Sequence, residues 1–538
     1  MFETLTDSRK TCSGVFFQNL IFRGRGNALQ VFCLFLFFLV AGLFVFANCP
    51  PLWRDYDGLI QISNRPGDLT VLQYPAAYPF FSRMHVWVAQ TIQGRIHRKR
   101  TPIHIAKTVI LNDGGINALI LSQQALFALA LTAFVHNCAR SRRAQWVIAI
   151  LLVSNASLFI ITNLISTEAL AQVLVVAFVA LGFRLFQTEG LPRAGIAAYG
   201  ICLYVSIMTR HTNSIFAMLL PMACLFRIAA LWIRERRTLS LVWKQTAIFT
   251  VAGFVSIAAA NLTTRLICRA FDVPYRSISA RATSERLGFV DRLPPEERAE
   301  FLADLQKRTD DPVVKEAIPI LARSASWVHQ RDEIQKILLR DTPSLDERTL
   351  TLRSDAYLDR VASLFFRSRD HQLVRETLDS MWRGLAATSA TTVAEYYLKV
   401  AEWSIDLYAS DPGMEKRTHA LASCTLEAKN RILAFARNPW LKLWGWAPHG
   451  AILLASSIAA LIFLLRKIGS PFGPLFALAT AFTAVVATCL TFVLVNYIPR
   501  FTCVADLFAF LTLAMVVAHG IDAFCLEKKS PLSVVPNQ

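Results

Sequence analysis

Charge is what this chain has little of. Aspartate, glutamate, lysine and arginine make up 17% of its 538 residues, against roughly 25% in soluble domains. Hydrophobic residues make up 54% and the mean hydropathy is +0.41. These proportions exclude a water-soluble fold and mark an integral membrane protein. The chain also lacks a phosphate-cradling glycine loop, a zinc-binding pattern and a nucleophile elbow. No internal repeat is evident, which weighs against a transporter built from inverted halves. The 11 cysteines show no metal-ligand spacing. Cys33, Cys202, Cys224, Cys489 and Cys525 sit in apolar segments and read as small buried hydrophobes. Cys49, Cys268 and Cys424 fall outside those segments, and spacing alone assigns no disulfide among them. The first apolar run is too long for a cleaved signal peptide and has no convincing small-residue cleavage site.

What the chain does have is a series of long apolar runs. Segments near 28–48, 115–136, 145–165, 168–186, 194–209, 212–233, 245–266, 447–466, 472–496 and 502–525 predict about ten transmembrane helices. The formal net charge of +18 does not collect into one stripe suited to nucleic acid. Its members fall between the apolar runs: Arg9, Lys10, Arg23 and Arg25, then Arg140, Arg142 and Arg143, Arg193, Arg234 to Lys244, Arg466 and Lys467, and finally Lys528 and Lys529. With ten spans all of these lie on one side, which the positive-inside rule makes cytoplasmic, together with both termini. Two large segments then face the other way. The first outer loop is 49–114. The second, 267–446, opens helices at Pro294-Pro295-Glu296-Glu297 and at Ser344-Leu345-Asp346-Glu347 and predicts a helical extracytoplasmic subdomain. Thr391 to Tyr408 carries apolar residues at helical spacing as well. The chain thus divides into an N-terminal membrane module (1–266), the outer helical domain (267–446) and C-terminal membrane helices (447–538). The fold class is an all-α membrane protein, a polytopic bundle.

Polar residues that this topology places on the outer face are the candidates for chemistry. The first loop begins Trp53-Arg54-Asp55-Tyr56-Asp57. In an extended segment Asp55 and Asp57 point the same way, and either can act as a general base on a hydroxyl. The pair also suits a divalent cation, the one cofactor the pattern admits. A solvated interfacial turn with belt aromatics is the plain alternative. Tyr74, Tyr78 and His85 are candidates to line a pocket, although aromatic-proline runs usually just pack. Glu168 opens the fourth span in Ser166-Thr167-Glu168, where helix capping competes with a site role. Arg210 and His211 occupy the turn between the fifth and sixth spans, and Arg500 the turn Tyr497-Ile498-Pro499-Arg500-Phe501. A guanidinium at the outer surface suits a phosphate because its planar fork donates two hydrogen bonds. Snorkelling to lipid headgroups is the competing explanation. The basic cluster Arg95, His97, Arg98, Lys99 and Arg100 reads as an amphipathic interfacial helix. Arg265 and Arg269, at the outer end of the seventh span, read similarly.

The order of these elements resembles the integral-membrane glycosyltransferases of the GT-C fold, above all the bacterial relatives of protein O-mannosyltransferases and of the lipid A aminoarabinose transferase. The likeness rests on an acid soon after the first span (Asp55 or Asp57), the stretch Tyr74-Pro75-Ala76-Ala77-Tyr78-Pro79-Phe80, Thr167-Glu168-Ala169 opening the fourth span, Met208-Thr209-Arg210, and the turn Tyr497 to Phe501. It covers roughly 28–230 and 495–525. The mannosyltransferases have Asp-Glu where this chain has Asp-Tyr-Asp, so the aspartate that corresponds is open, with a slight lean to Asp55. The resemblance implies an enzyme of the bacterial inner membrane that takes a sugar from a polyprenyl phosphate on the outer face. The acceptor would be a lipid, glycan or protein hydroxyl, membrane lipids would surround it, and nucleic acid would play no part. Relatives differ in whether a metal takes part. A polysaccharide polymerase or ligase using a polyprenyl diphosphate is the second reading, and a lipid or solute transporter the third.

Overall fold

The computed structural model describes residues 28–49, 52–53, 75–96, 113–188, 192–234, 239–270, 290, 293–322, 327–367, 371–393, 426–494 and 502–527. The chain opens with α1 (Ala28–Asn48), a two-residue strand β1 (Leu52–Trp53) and α2 (Ala77–Ile96). Then come α3 (Asp113–Cys138), α4 (Arg142–Ser154), the short α5 (Ala156–Ile161), strand β2 (Leu164–Ile165), α6 (Thr167–Gln187) and α7 (Arg193–Thr209). A 3-10 helix (His211–Met218) leads into α8 (Leu219–Arg234), and α9 (Leu239–Ala270) closes the N-terminal half.

Among the described residues, seven helices are long and apolar enough to cross a bilayer. They are α1, α3, α6, the 3-10 helix continued by α8, α9, and two near the C-terminus, and they make this an all-α membrane protein. The apolar α7 is shorter, at 17 residues. The run expected to span as one segment over 145–165 is two helices. Asn155 separates them: its side chain accepts from the Ser157 amide at 3.2 Å and starts α5 afresh. That cap competes with continuation of α4, so the break lies at a residue well able to make it.

Packing sorts the helices by depth. α3 and α6 lie against each other and α1 packs on α3. About 78% of the α6 span is covered by protein, against 28% for α1 and α9. Those two outer helices leave Phe32, Val40 and Phe44, and Val251, Phe254 and Leu262, uncovered. Apolar patches of that extent are what lipid would cover. Small side chains allow the close approaches: a Cβ on Gly253 of α9 would lie 3.1 Å from Ala217.

The described part of 267–446 divides in two. α10 (Pro295–Lys307), α11 (Pro312–Leu321), α12 (Trp327–Asp341) and α13 (Glu347–Arg367) enclose a separate core that includes Phe301, Ile318, Leu338, Leu358 and Phe365. The expected helix starts at Pro295 and Glu347 are both present. α11 is begun by Asp311, which accepts from the amides of Val313 and Val314 and also binds Arg360 of α13 at 2.6 Å. One carboxylate thus caps a helix and ties it to its neighbour. The second part joins the membrane bundle. It comprises α14 (His371–Ala386), α15 (Ser389–Val393), α16 (Leu426–Phe435) and α17 (Pro439–Lys442). Val393, Ile432, Phe435 and Leu441 share the core of the bundle. The expected helix over Thr391 to Tyr408 falls beyond Val393 largely outside the described residues. The C-terminal helices are α18 (His449–Leu465), α19 (Phe472–Leu494) and α20 (Cys503–Glu527). Like α7, α18 is apolar and has 17 residues. α20 runs through the middle, in contact with α4, α18 and α19. Cys49 and Cys268 are both free thiols.

Hydrogen bonds identify the two ends of the bundle. At one end Asp522 accepts from the backbone amides of Arg140 and Ser141, at 2.6 and 2.8 Å, and His519 meets the Ile468 carbonyl at 2.8 Å. This end holds the basic 139–143 and 466–468 turns. The opposite end holds Cys49, Asn155, Glu168 and the segment 426–449.

Candidate functional site

The candidate site grows from two glutamines that interrupt the apolar face of α3. Gln123 donates to the carbonyls of Thr162 and Leu164, at 3.0 and 3.1 Å. Gln124 donates to Phe159 O at 3.1 Å and accepts from Thr162 Oγ1 at 3.1 Å. The irregular turn after α5 has carbonyls that no helix satisfies, and a buried carbonyl needs a donor. The glutamines supply donors and so hold the turn in one shape. From the other side Asn163, fully buried, donates to the Cys49 carbonyl at 2.9 Å. The two strands then pair in parallel, Leu52 with Leu164 and Trp53 with Ile165. The start of the first loop is therefore stitched to the turn that precedes Glu168.

Glu168 is the second residue of α6 and is 5% exposed. The cap position belongs to Ser166, whose side chain makes no capping bond. Glu168 instead accepts from Thr167 Oγ1 at 3.2 Å and pairs with Arg210, Oε1 to Nη1 3.3 Å. The helix N-terminus still favours its charge. Arg210 is 14% exposed, so its guanidinium lies within protein and does not simply reach to headgroups. Its position is set by the joint between α7 and the 3-10 helix. The Arg210 amide bonds Ser206 O, its carbonyl accepts from Asn213, and Asn213 Nδ2 returns to Ser206 O at 3.1 Å and Ser206 Oγ at 3.0 Å. His211, the next residue, is half-buried and opens the 3-10 helix.

Tyr78, on α2, completes the cluster. It is fully buried, its hydroxyl faces Gln123 Oε1 at 3.4 Å, and it lies against the Ser166 backbone. Burial pushes its hydroxyl well above the ordinary tyrosine value, and the nearby Glu168 charge pushes it further. Tyr78 therefore stays a neutral donor. The neutral form is the one the fold prefers, so this stability is complete below the unfolded value of 10.0. It is lost as the pH rises from there toward the raised folded value. Tyr78→Phe should cost about 1 kcal/mol at pH 7 yet flatten the loss of stability above pH 10, read as melting temperature against pH in detergent. An equally steep alkaline loss in the variant would refute this.

Of the sequence candidates, the structure brings Tyr78, Glu168 and Arg210 together. His85 is turned to its own helix, Nδ1 to the Phe81 carbonyl at 2.8 Å. Arg265 and Arg269 are exposed on α9. Asp55, Asp57, Tyr74 and Arg500 lie outside the described residues, as does His97 to Arg100. Among the described residues, no three His, Cys, Asp or Glu side chains converge to hold a metal.

Two features escaped the reading of the sequence. Arg83, five residues after Tyr78 on α2, is 1% exposed. Its only signal was an arginine inside an aromatic-rich run. The second is a buried network around Asp506 of α20. Asp506 accepts from Asn155 Nδ2 at 3.0 Å, from Ser389 Oγ at 2.7 Å and from Ser157 Oγ, and His449 Nε2 lies 3.1 Å from it. Asp506 is an acid near one end of the apolar run 502–525, and its partners come from three distant segments.

No protein-family model, curated protein or solved structure matches this chain.

Proposed function

We propose that this protein is a GT-C-type glycosyltransferase that moves a sugar from a polyprenyl phosphate to an acceptor hydroxyl at the Glu168 end of the bundle. The observation that carries the reading is the buried Tyr78–Glu168–Arg210 cluster, stitched to the start of the loop that bears the two aspartates. Trp53, two residues before Asp55, pairs with Ile165, three residues before Glu168. That short separation along the chain supports a role for Asp55 in the reaction.

In the reaction Asp55 or Asp57 takes the proton from the acceptor hydroxyl as its oxygen attacks the anomeric carbon. The bond from that carbon to the phosphate oxygen breaks, and the electron pair leaves with the polyprenyl phosphate. Arg210 and Arg500 meet the charge that develops there. Glu168 orients Arg210, while Tyr78, whose hydroxyl donates to Gln123 Oε1, packs beside the pair. A single displacement inverts the anomeric centre and needs one base; a retaining route would require a second, nucleophilic carboxylate. A bound divalent cation would fall to the aspartates. The positive-inside rule, applied to the basic loops at the other end, supports reading this end as extracytoplasmic in a bacterial inner membrane with cytoplasmic termini.

The test is transfer from a polyprenyl-phosphate sugar by reconstituted protein carrying Asp55→Asn, Asp57→Asn or both. One single variant should lose at least about 100-fold in rate and the double variant should be no better. Full activity in all three sinks the base. Activity only with a polyprenyl diphosphate would indicate the polymerase or ligase reading, and movement of lipid with no transfer product would indicate a transporter.

A further inference from the structure

A cavity of about 890 Å³ opens along the bundle between α8, α18 and α19, away from the candidate site. Its walls are apolar, with Phe226 from α8, Leu453 and Leu461 from α18, and Leu475 and Phe482 from α19. It runs from Gly450 to Lys467, 17 residues of helix and turn, or about 25 Å at the helical rise. Its volume lies within the ~300–1,000 Å³ of sites that enclose a whole ligand.

Lys467 closes one end, and its backbone is unusual. It is the only non-glycine residue with positive φ among the described residues, at 54°. The amide of Ile468 bonds Phe463 O at 2.9 Å and that of Lys467 bonds Leu464 O at 3.3 Å. This is the Schellman ending of a helix, in which the left-handed position normally goes to glycine. A lysine there carries backbone strain, which glycine would relieve. Strain retained at one residue suggests that its side chain has a task. Here Lys467 is among the residues that line an apolar cavity, with Arg466 beside it, at the basic end of the bundle.

We infer that this cavity holds an anionic diacyl glycerophospholipid of the cytoplasmic leaflet, its tails between α8, α18 and α19 and its phosphate on Lys467. An apolar trough with a cation at one mouth matches an amphiphile of that polarity, and basic side chains at this face attract anionic headgroups. The zwitterionic lipids that share its tails lack the net charge that Lys467 selects.

The test is native mass spectrometry of full-length protein equilibrated with equal phosphatidylglycerol and phosphatidylcholine. Wild type should keep one phosphatidylglycerol. Lys467→Gly, which relieves the strain, and Lys467→Asn, which tolerates the left-handed backbone, should both lower that preference about fivefold. The melting temperature of Lys467→Gly in lipid-free detergent should be unchanged or raised. Ala481→Phe, which fills the trough, should lower retention of either lipid. Undiminished phosphatidylglycerol preference in both Lys467 variants overturns the inference. So does displacement of phosphatidylglycerol by added polyprenyl phosphate, which would assign the trough to the donor's tail. None of these readouts depends on transfer activity, so the inference stands or falls apart from the proposed function.

Discussion

Glu168→Gln should lower sugar transfer by about 10²–10³-fold, and Arg210→Lys should do nearly as much harm. Glu168 and Arg210 lie 3.3 Å apart and are 5% and 14% exposed. Water therefore screens the pair weakly, and each charge depends on the other. Loss of one partner of a buried pair takes away much of what offsets the other's charge, at a cost of about 3 kcal/mol. Stability alone therefore does not separate a structural brace from a reacting-site cation. The double variant Glu168→Gln with Arg210→Gln does. It removes both charges, so the melting temperature should recover toward wild type, while transfer should stay low because only Arg500 is left to meet the leaving phosphate. Arg210→Lys adds a second discriminator: the charge remains and the planar fork is gone. A brace tolerates a lysine; a bidentate phosphate contact does not. If the double variant regains both stability and transfer, or Arg210→Lys transfers normally, Arg210 does not act on the leaving group.

How much of this was legible in the sequence depended on whether a residue's partner was near in the chain or of a telling type. The apolar runs announced the membrane helices because burial in lipid demands length and composition from each segment alone. The helix starts at Pro295 and Glu347 were readable for the same reason, since caps and first-turn acids act within a few residues. The break at Asn155 was hidden by a mainly apolar run in which a few small polar residues seemed incidental. Glu168 and Arg210 were picked out singly, each with an innocent explanation. Their ion pair depends on how α6 and α7 meet, which no local pattern encodes. Gln123 and Gln124 were the missed clue. Two adjacent amides in a bilayer-length helix are costly without partners, and here their partners are the carbonyls of the turn that supports the site.

Asp506→Ala should destabilise the protein by about 3–5 kcal/mol, the largest loss of any single change considered. The carboxylate is wholly buried and gathers Asn155 and Ser157 at the α4–α5 break, Ser389 of α15 and His449 at the start of α18. Alanine would leave Asn155, Ser389 and His449 without their shared acceptor in a place water does not reach, while Ser157 keeps Asn155 Oδ1, and each stranded donor carries a desolvation cost. Asp506→Asn should cost much less. Its amide oxygen can still accept from Asn155 and Ser389. Its NH₂ can donate to Ser157 Oγ, because that hydroxyl has Asn155 Oδ1 as a second acceptor at 2.8 Å. The consequence reaches the segment 387–393. Ser389 follows Thr388, which bridges to Pro448, the His449 amide bonds Ala387 O at 2.9 Å, and Thr392 meets Thr502 at 2.8 Å. Asp506 is thus the buried anchor that holds 387–393 against the last helix. Limited proteolysis of the alanine variant in detergent should cut around 387–393 well before the bundle melts, and Ser389→Ala should show a weaker form of the same opening, at about 1–2 kcal/mol. The two losses should fall short of additive when combined, because the serine has no acceptor left to lose once the carboxylate is gone. Additive losses, or an alanine variant as resistant to protease as wild type, would show that 387–393 is held by its apolar contacts and that the network is incidental to its docking.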